Sequence, residues 1–122
     1  MMRYCLVVDD SRVVRMVARR ILEQLGFATA EAANGQEALD ACGARLPDAV
    51  LLDWNMPVMN GLDFLLELRG KYGKTGPKVV FCTTENSMAS IRAALEAGAD
   101  EYIMKPFDRD ILEAKFSQAG LL

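Results

Sequence analysis

The sequence predicts an α/β fold, a five-stranded parallel sheet with helices on both faces. Three observations carry that prediction. Apolar runs recur at residues 4–8, 27–32, 49–52, 79–82 and 102–104, and a helical rhythm follows each of them. Most of these runs are continuous rather than alternating, the pattern of strands covered on both faces. The joining loops are short, and regular strand–helix alternation with short loops requires parallel pairing through right-handed crossovers.

Taken in order, the run at 4–8 is the first strand. Val14, Val17, Ala18, Ile21, Leu22 and Leu25 then follow an i, i+3, i+4, i+7 spacing. Arg12, Arg15, Arg19, Arg20 and Glu23 take the other side, and Gly26 ends the helix. Residues 27–32 form a weaker, Ala-rich strand suited to a sheet edge. Asn34 caps a second helix, with Glu37 three residues on, that runs to about Arg45. Residues 49–52 are the third strand. Asn60-Gly61 opens a helix carrying Leu62, Leu65, Leu66 and Leu68, closed by a loop with Gly70, Gly73, Gly76 and Pro77. After the strand at 79–82, Ser87 begins a helix with Ile91, Ala94 and Leu95 inward and Gly98 at its end. The strand at 102–104 leads to a last helix capped by Asp108 and holding Ile111, Leu112 and Phe116.

Composition narrows the function. The 122 residues suit one domain spanning 1–122, and 52% apolar with 25% charged residues argues for a folded chain over a disordered one. A net charge of −3 without any Lys/Arg block lacks the footprint of direct nucleic-acid binding. The N-terminal apolar run breaks at Asp9-Asp10, too short for a signal peptide or a spanning helix, so a cytoplasmic protein without membrane insertion is expected. Cys5, Cys42 and Cys82 have no C-x-x-C spacing and read as buried, reduced thiols. Histidine is absent, which excludes His-based triads, His metal ligands and a phosphohistidine carried by this chain.

The strand ends carry the chemistry. Val50-Leu51-Leu52 stops at Asp53, Asp9-Asp10 follow the first strand, Thr83-Thr84 the fourth and Lys105-Pro106 the fifth. The second strand carries nothing comparable. An open parallel sheet gathers these ends at one edge, where ligands bind. Three neighbouring carboxylates repel, and one keeps its proton unless a cation screens them. Lys105 supplies a single charge, so an oxygen-seeking divalent ion, Mg²⁺ or Mn²⁺, is the natural remainder. Thr83 and Lys105 suit phosphate oxygens, which points to phosphoryl transfer with Asp53 as acceptor. Each residue alone has an ordinary account as helix cap, turn, strand-end hydroxyl or solvated lysine. Their joint placement at four strand ends does not.

The acid pair Asp9-Asp10, the segment Asp53-x-x-Met56-Pro57-x-Met59-x-Gly61, Thr83 and Lys105-Pro106-Phe107 together resemble the receiver domains of two-component response regulators, the CheY-like family. The resemblance runs along nearly the whole chain, and its motif set is far more specific than any single member. It implies the flavodoxin-like strand order 2-1-3-4-5. It implies that Asp53 accepts a phosphoryl group, with Mg²⁺ bound, from a phosphohistidine on a sensor histidine kinase or a histidine phosphotransfer protein. No enzyme activity is expected beyond self-phosphorylation and self-dephosphorylation. Asp10 and Asp53 would bind the metal directly, with the backbone carbonyl of Asn55, and Asp9 mainly through water. Lys105 would contact the phosphoryl oxygens, and its bond to Pro106 is expected to be cis. Thr83 would move toward the phosphoryl group and Tyr102 turn inward behind it. That changes the helix 4–strand 5–helix 5 face, where a downstream protein target of chemotaxis-type or phosphorelay signalling would bind.

Some positions depart from the family pattern or tune it. Thr84 is larger than the Ala or Gly often found there and is expected to narrow access to the phosphoryl group. Trp54 is bulky, which suits packing beneath the loop and a phosphorylation-sensitive fluorescence signal. Asn55 and Glu85 flank the site and are expected to position water. Met88, Met104 and Phe107 form a candidate partner patch, and a monomer is expected rather than a dimer. Two further readings stay open. A metal-dependent phosphohydrolase would need a cap and a substrate pocket, for which these loops are short. A receiver cut from a longer regulator is the other, although the start at Met1 and the end soon after the last helix suit a complete chain.

Overall fold

The computed structural model describes residues 2–84 and 88–122. Strands and helices alternate as β1 (Tyr4–Val8), α1 (Arg12–Gln24), β2 (Ala28–Ala32), α2 (Gly35–Ala44), β3 (Ala49–Asp53), α3 (Gly61–Tyr72), β4 (Lys78–Thr83), α4 (Met88–Glu96), β5 (Glu101–Met104) and α5 (Arg109–Gln118). All pairings are parallel and the order is β2-β1-β3-β4-β5, with the Ala-rich β2 at an edge as expected.

The unbroken apolar runs are explained by a core on each side of the sheet. Cys5, Val7, Leu51, Val80, Cys82 and Ile103 face α1 and α5, where Phe27 and Phe116 meet edge-on with centroids 5.5 Å apart. Leu6, Val8, Val50, Leu52, Val79 and Phe81 face α2, α3 and α4. Side-chain oxygens of Ser11, Asn34, Asn60 and Asp108 accept an otherwise free N–H from the third residue of α1, α2, α3 and α5, which fixes where each of these helices starts. Among the described residues no helix is long and apolar enough to cross a membrane.

Several inward assignments are corrected. Leu95, read as inward on α4, is 44% exposed, and Ile111, Leu66 and Val17 also face solvent. In each case the neighbours Ala94, Leu112, Leu65 and Ala18 fill the core instead, so these four lie at the margin of the buried stripe. Phe64, not singled out from the sequence, is fully buried. Gly70 lies inside α3 rather than in the loop after it. The start of α4 at Ser87 lies outside the described residues. Of the candidate patch, Met88 is exposed while Met104 and Phe107 are half-buried, with Phe107 packed on the core.

The loop from β3 to α3 is tightly constrained. A Cβ on Gly61 would press against the carbonyl oxygen of Asp53 and lie 3.1 Å from the Trp54 Cα, so the helix can approach the strand end only with glycine there. Gly61→Ala is expected to lose about 2 kcal/mol of stability by chemical denaturation, since the obstructing atoms are backbone. Val58 has φ 69° and is 83% exposed, so a β-branched side chain occupies a left-handed conformation with little packing in return. Val58→Gly is expected to raise stability by about 1 kcal/mol, the left-handed penalty less the entropy of a freer unfolded chain. A lowered melting temperature would contradict this.

Candidate functional site

Strand alternation builds the site. Cys5 and Val7 on β1, Ala49 and Leu51 on β3, and Ile103 on β5 point to one face of the sheet. Counting onward by twos places Asp9, Asp53 and Lys105 on that same face at the strands' C-terminal edge. The Lys105 ammonium donates to Asp9 Oδ2 at 2.6 Å and to Asp53 Oδ1 at 3.1 Å, joining the ends of three strands. Asp9 is fully engaged: its Oδ1 accepts the Ser11 N–H at 2.9 Å, and its own N–H donates to the Ala32 carbonyl of β2 at 3.1 Å.

Asp53 is only 7% exposed and lies within β3, which extends one residue past the 49–52 run read as the strand. Asp10 is exposed. One carboxylate oxygen from each of Asp9, Asp10 and Asp53 lies within 4.8 Å of the others, the arrangement of a metal-ligating group. Burial pushes the Asp53 pKa above its ordinary value, and the Asp9 charge adds to this, against the opposing pull of Lys105. Burial would lower the Lys105 pKa, but its bonds to Asp9 and Asp53 outweigh this and raise it. The ammonium is thereby held in its charged form, while Asp53 keeps its proton to a higher pH than an ordinary carboxyl group does. The site is short of positive charge. An all-oxygen donor set with that deficit fits a hard divalent cation.

The remaining predicted residues surround this group. Thr83 closes β4, is buried, and falls on the opposite face with Phe81. Tyr102 is on that face too, away from the acids. Its ring lies 6.1 Å from that of Phe81, and the Lys115 Nζ stands 4.3 Å from its centroid while pairing with Glu101 at 3.4 Å. Trp54 packs beneath its loop, 5.5 Å from the Phe81 ring, and its N–H donates to the Cys82 carbonyl at 3.1 Å. Asn55 is exposed in the same loop. The Lys105–Pro106 bond is cis. Thr84, Lys105, Pro106 and Phe107 line an apolar hollow of about 400 Å³ with Val13, Val14 and Val17 of α1. Glu85 lies outside the described residues.

Sequence reasoning overlooked Arg15 and Glu31. Arg15 Nη1 donates to the Asp9 carbonyl at 2.7 Å and its Nε to Glu31 Oε1 at 2.9 Å. Only the β1–β2 register, which sets Glu31 beside Val7, reveals this.

The response regulator receiver domain pattern matches residues 5–117. The chain belongs to this family. As a receiver it is 39% identical over 112 residues to chemotaxis protein CheY1 of Helicobacter pylori (strain ATCC 700392 / 26695), covering 90% of each chain. It is 38% identical over 112 residues to the CheY homolog of Campylobacter jejuni subsp. jejuni (serotype O:23/36, strain 81-176), covering 90% of this chain and 86% of the other. The solved chemotaxis response regulator CheY4 of Vibrio cholerae superposes with a TM-score of 0.91 at 29% identity, covering 98% and 99% of the two chains. The receiver fold and its two-component signalling class are thereby established.

Proposed function

We propose that this receiver is a phosphorylation-switched signalling protein whose acceptor is Asp53. The phosphoryl group comes from a phosphohistidine of a sensor histidine kinase or histidine phosphotransfer protein, since the chain has no histidine of its own. The P–N bond breaks as an Asp53 oxygen forms a P–O bond, and the departing imidazole nitrogen takes up a proton. Mg²⁺, or Mn²⁺ in its place, would neutralise the phosphoryl oxygens, held by Asp10, Asp53 and the Asn55 backbone carbonyl. Asp9, with both carboxylate oxygens already partnered, suits a role through water. Lys105 meets a phosphoryl oxygen from where it now pairs with Asp53.

Thr83 and Tyr102 carry the change to the α4–β5–α5 face, where a downstream protein binds. Trp54, Thr84, Glu85 and Pro106 flank the site and tune access and lifetime. The single domain 1–122 works as a cytoplasmic monomer in chemotaxis-type or phosphorelay signalling, binding neither nucleic acid nor membrane. Self-phosphorylation and self-dephosphorylation are its only chemistry.

One observation carries the reading: three carboxylates and the Lys105 ammonium converge at the C-terminal edge of a receiver sheet. The test is incubation with Mg²⁺ and a small phosphodonor. Wild-type protein is expected to take up label and Asp53→Ala none; equal labelling of the two would reject Asp53 as acceptor.

A further inference from the structure

We infer that Arg15 is a positioning residue for the cation and phosphoryl site, acting through the main chain of Asp9. The inference rests on the function proposed above. Asp10 supplies an exposed carboxylate that takes no hydrogen bond from the described residues, so the protein aims it only through the backbone, where the peptide that precedes it helps set the Cα–Cβ direction. The carbonyl of that peptide belongs to Asp9, and the Arg15 guanidinium holds it at 2.7 Å from the second turn of α1. The guanidinium is itself fixed, because its Nε bonds Glu31 Oε1 at 2.9 Å while Arg19 Nη1 bonds Glu31 Oε2 at 2.5 Å. With its N–H on Ala32 and its carboxylate on Ser11 and Lys105, Asp9 then has every polar group tied down.

Two donors of one planar group, Nη1 and Nε, hold one acceptor just beyond β1 and another on β2 in a fixed fork, a geometry that a lysine ammonium at this position does not supply. The side chain is 14% exposed, so solvent does little to weaken the clamp. Its charge and its geometry pull in opposite directions. By Coulomb's law a cation beside the acid cluster weakens binding of another cation, so deleting it should tighten binding. If Arg15 instead aims the ligands, deleting it should loosen binding.

The test is a Mg²⁺ titration of the full chain at constant ionic strength, followed by Trp54 fluorescence and by calorimetry. Arg15→Gln and Arg15→Lys are each expected to raise the Mg²⁺ Kd about tenfold, the usual order for lost outer-shell support. In phosphodonor assays the half-saturating Mg²⁺ concentration should rise by the same factor, while the rate at saturating Mg²⁺ stays within about twofold of wild type. Equal or tighter binding by Arg15→Gln, or wild-type binding by Arg15→Lys, overturns the inference. Should Arg15→Gln fail to fold, Arg15→Lys decides alone. A wild-type protein that takes neither Mg²⁺ nor a phosphoryl group overturns the underlying function as well. Unaltered variants of a working wild type remove only the role of Arg15.

Discussion

Asp53→Asn is expected to melt above the wild type in metal-free buffer at pH 7, while losing all phosphoryl uptake. The cause is the same burial and Asp9 repulsion that raise the Asp53 pKa in the folded protein. Between the ordinary carboxylate value and that raised value, the folded state holds a proton that the unfolded state has released. Wild-type stability therefore falls as pH rises through this window and then levels off. Asparagine carries no such proton, so the gap between variant and wild type should be smallest in acid and widen toward neutrality. Lys105 keeps its stronger bond to Asp9 in the variant, so the ion pair is not dismantled. Added Mg²⁺ should reverse the order. At a hundredfold excess over Kd it stabilises the wild type by about 2.7 kcal/mol, and the variant, lacking a ligand, gains far less. Thermal melts from acid to neutral pH, with and without Mg²⁺, measure both effects; parallel curves for the two proteins would contradict them.

Lys105→Met should have the opposite sign and a larger size. Lys105, with a side chain 16% exposed, is, among the described residues, the one cation in direct contact with both Asp9 and Asp53. Methionine fills much of the same space but leaves two buried carboxylates facing each other. Removing one partner from a buried ion pair costs about 3 kcal/mol, and urea denaturation at pH 7 should show a loss of that order. Acidification should recover much of it, because one carboxylate can then take a proton. Mg²⁺ should recover more, and should bind the variant more tightly because no ammonium competes for the acids. Phosphoryl uptake should nevertheless collapse. At the alkaline end the sign changes again. The raised Lys105 pKa means that its contribution is fully present below the ordinary lysine value of 10.5 and is lost as pH climbs through the raised one. The variant has no such loss to show. Unchanged stability at pH 7 would mean that the two acids do not depend on this ammonium.

The strand and helix order was readable because the central runs of β1, β3 and β4 are buried on both faces and because side chains such as Asn34, Asn60 and Asp108 cap the helices that follow. The acid–lysine group was readable for a related reason: parallel strands all end at one edge. What the sequence could not reveal depends on neighbours. Whether Leu95 or Ala94 faces inward turns on how α4 is rotated against β4 and β5, and a helical stripe alone leaves its margins undecided. Asp53 reads as exposed when judged as a charge, and only the placement of Lys105 shows how it can be buried. The Arg15 clamp needs the β1–β2 register, which no local pattern encodes.

The three cysteines have a practical consequence. Cys5, Cys42 and Cys82 are all buried, and burial pushes the first two thiols up to about 12 and about 11 and the third higher still. Thiolate, the species that alkylating agents and peroxide attack, is therefore scarce and shielded at neutral pH. The native protein should stay silent toward maleimide dyes for as long as it remains folded. A single cysteine introduced on the exposed side of α4 or α5 can then report by fluorescence, against an unlabelled background, what happens on that face when Asp53 is modified.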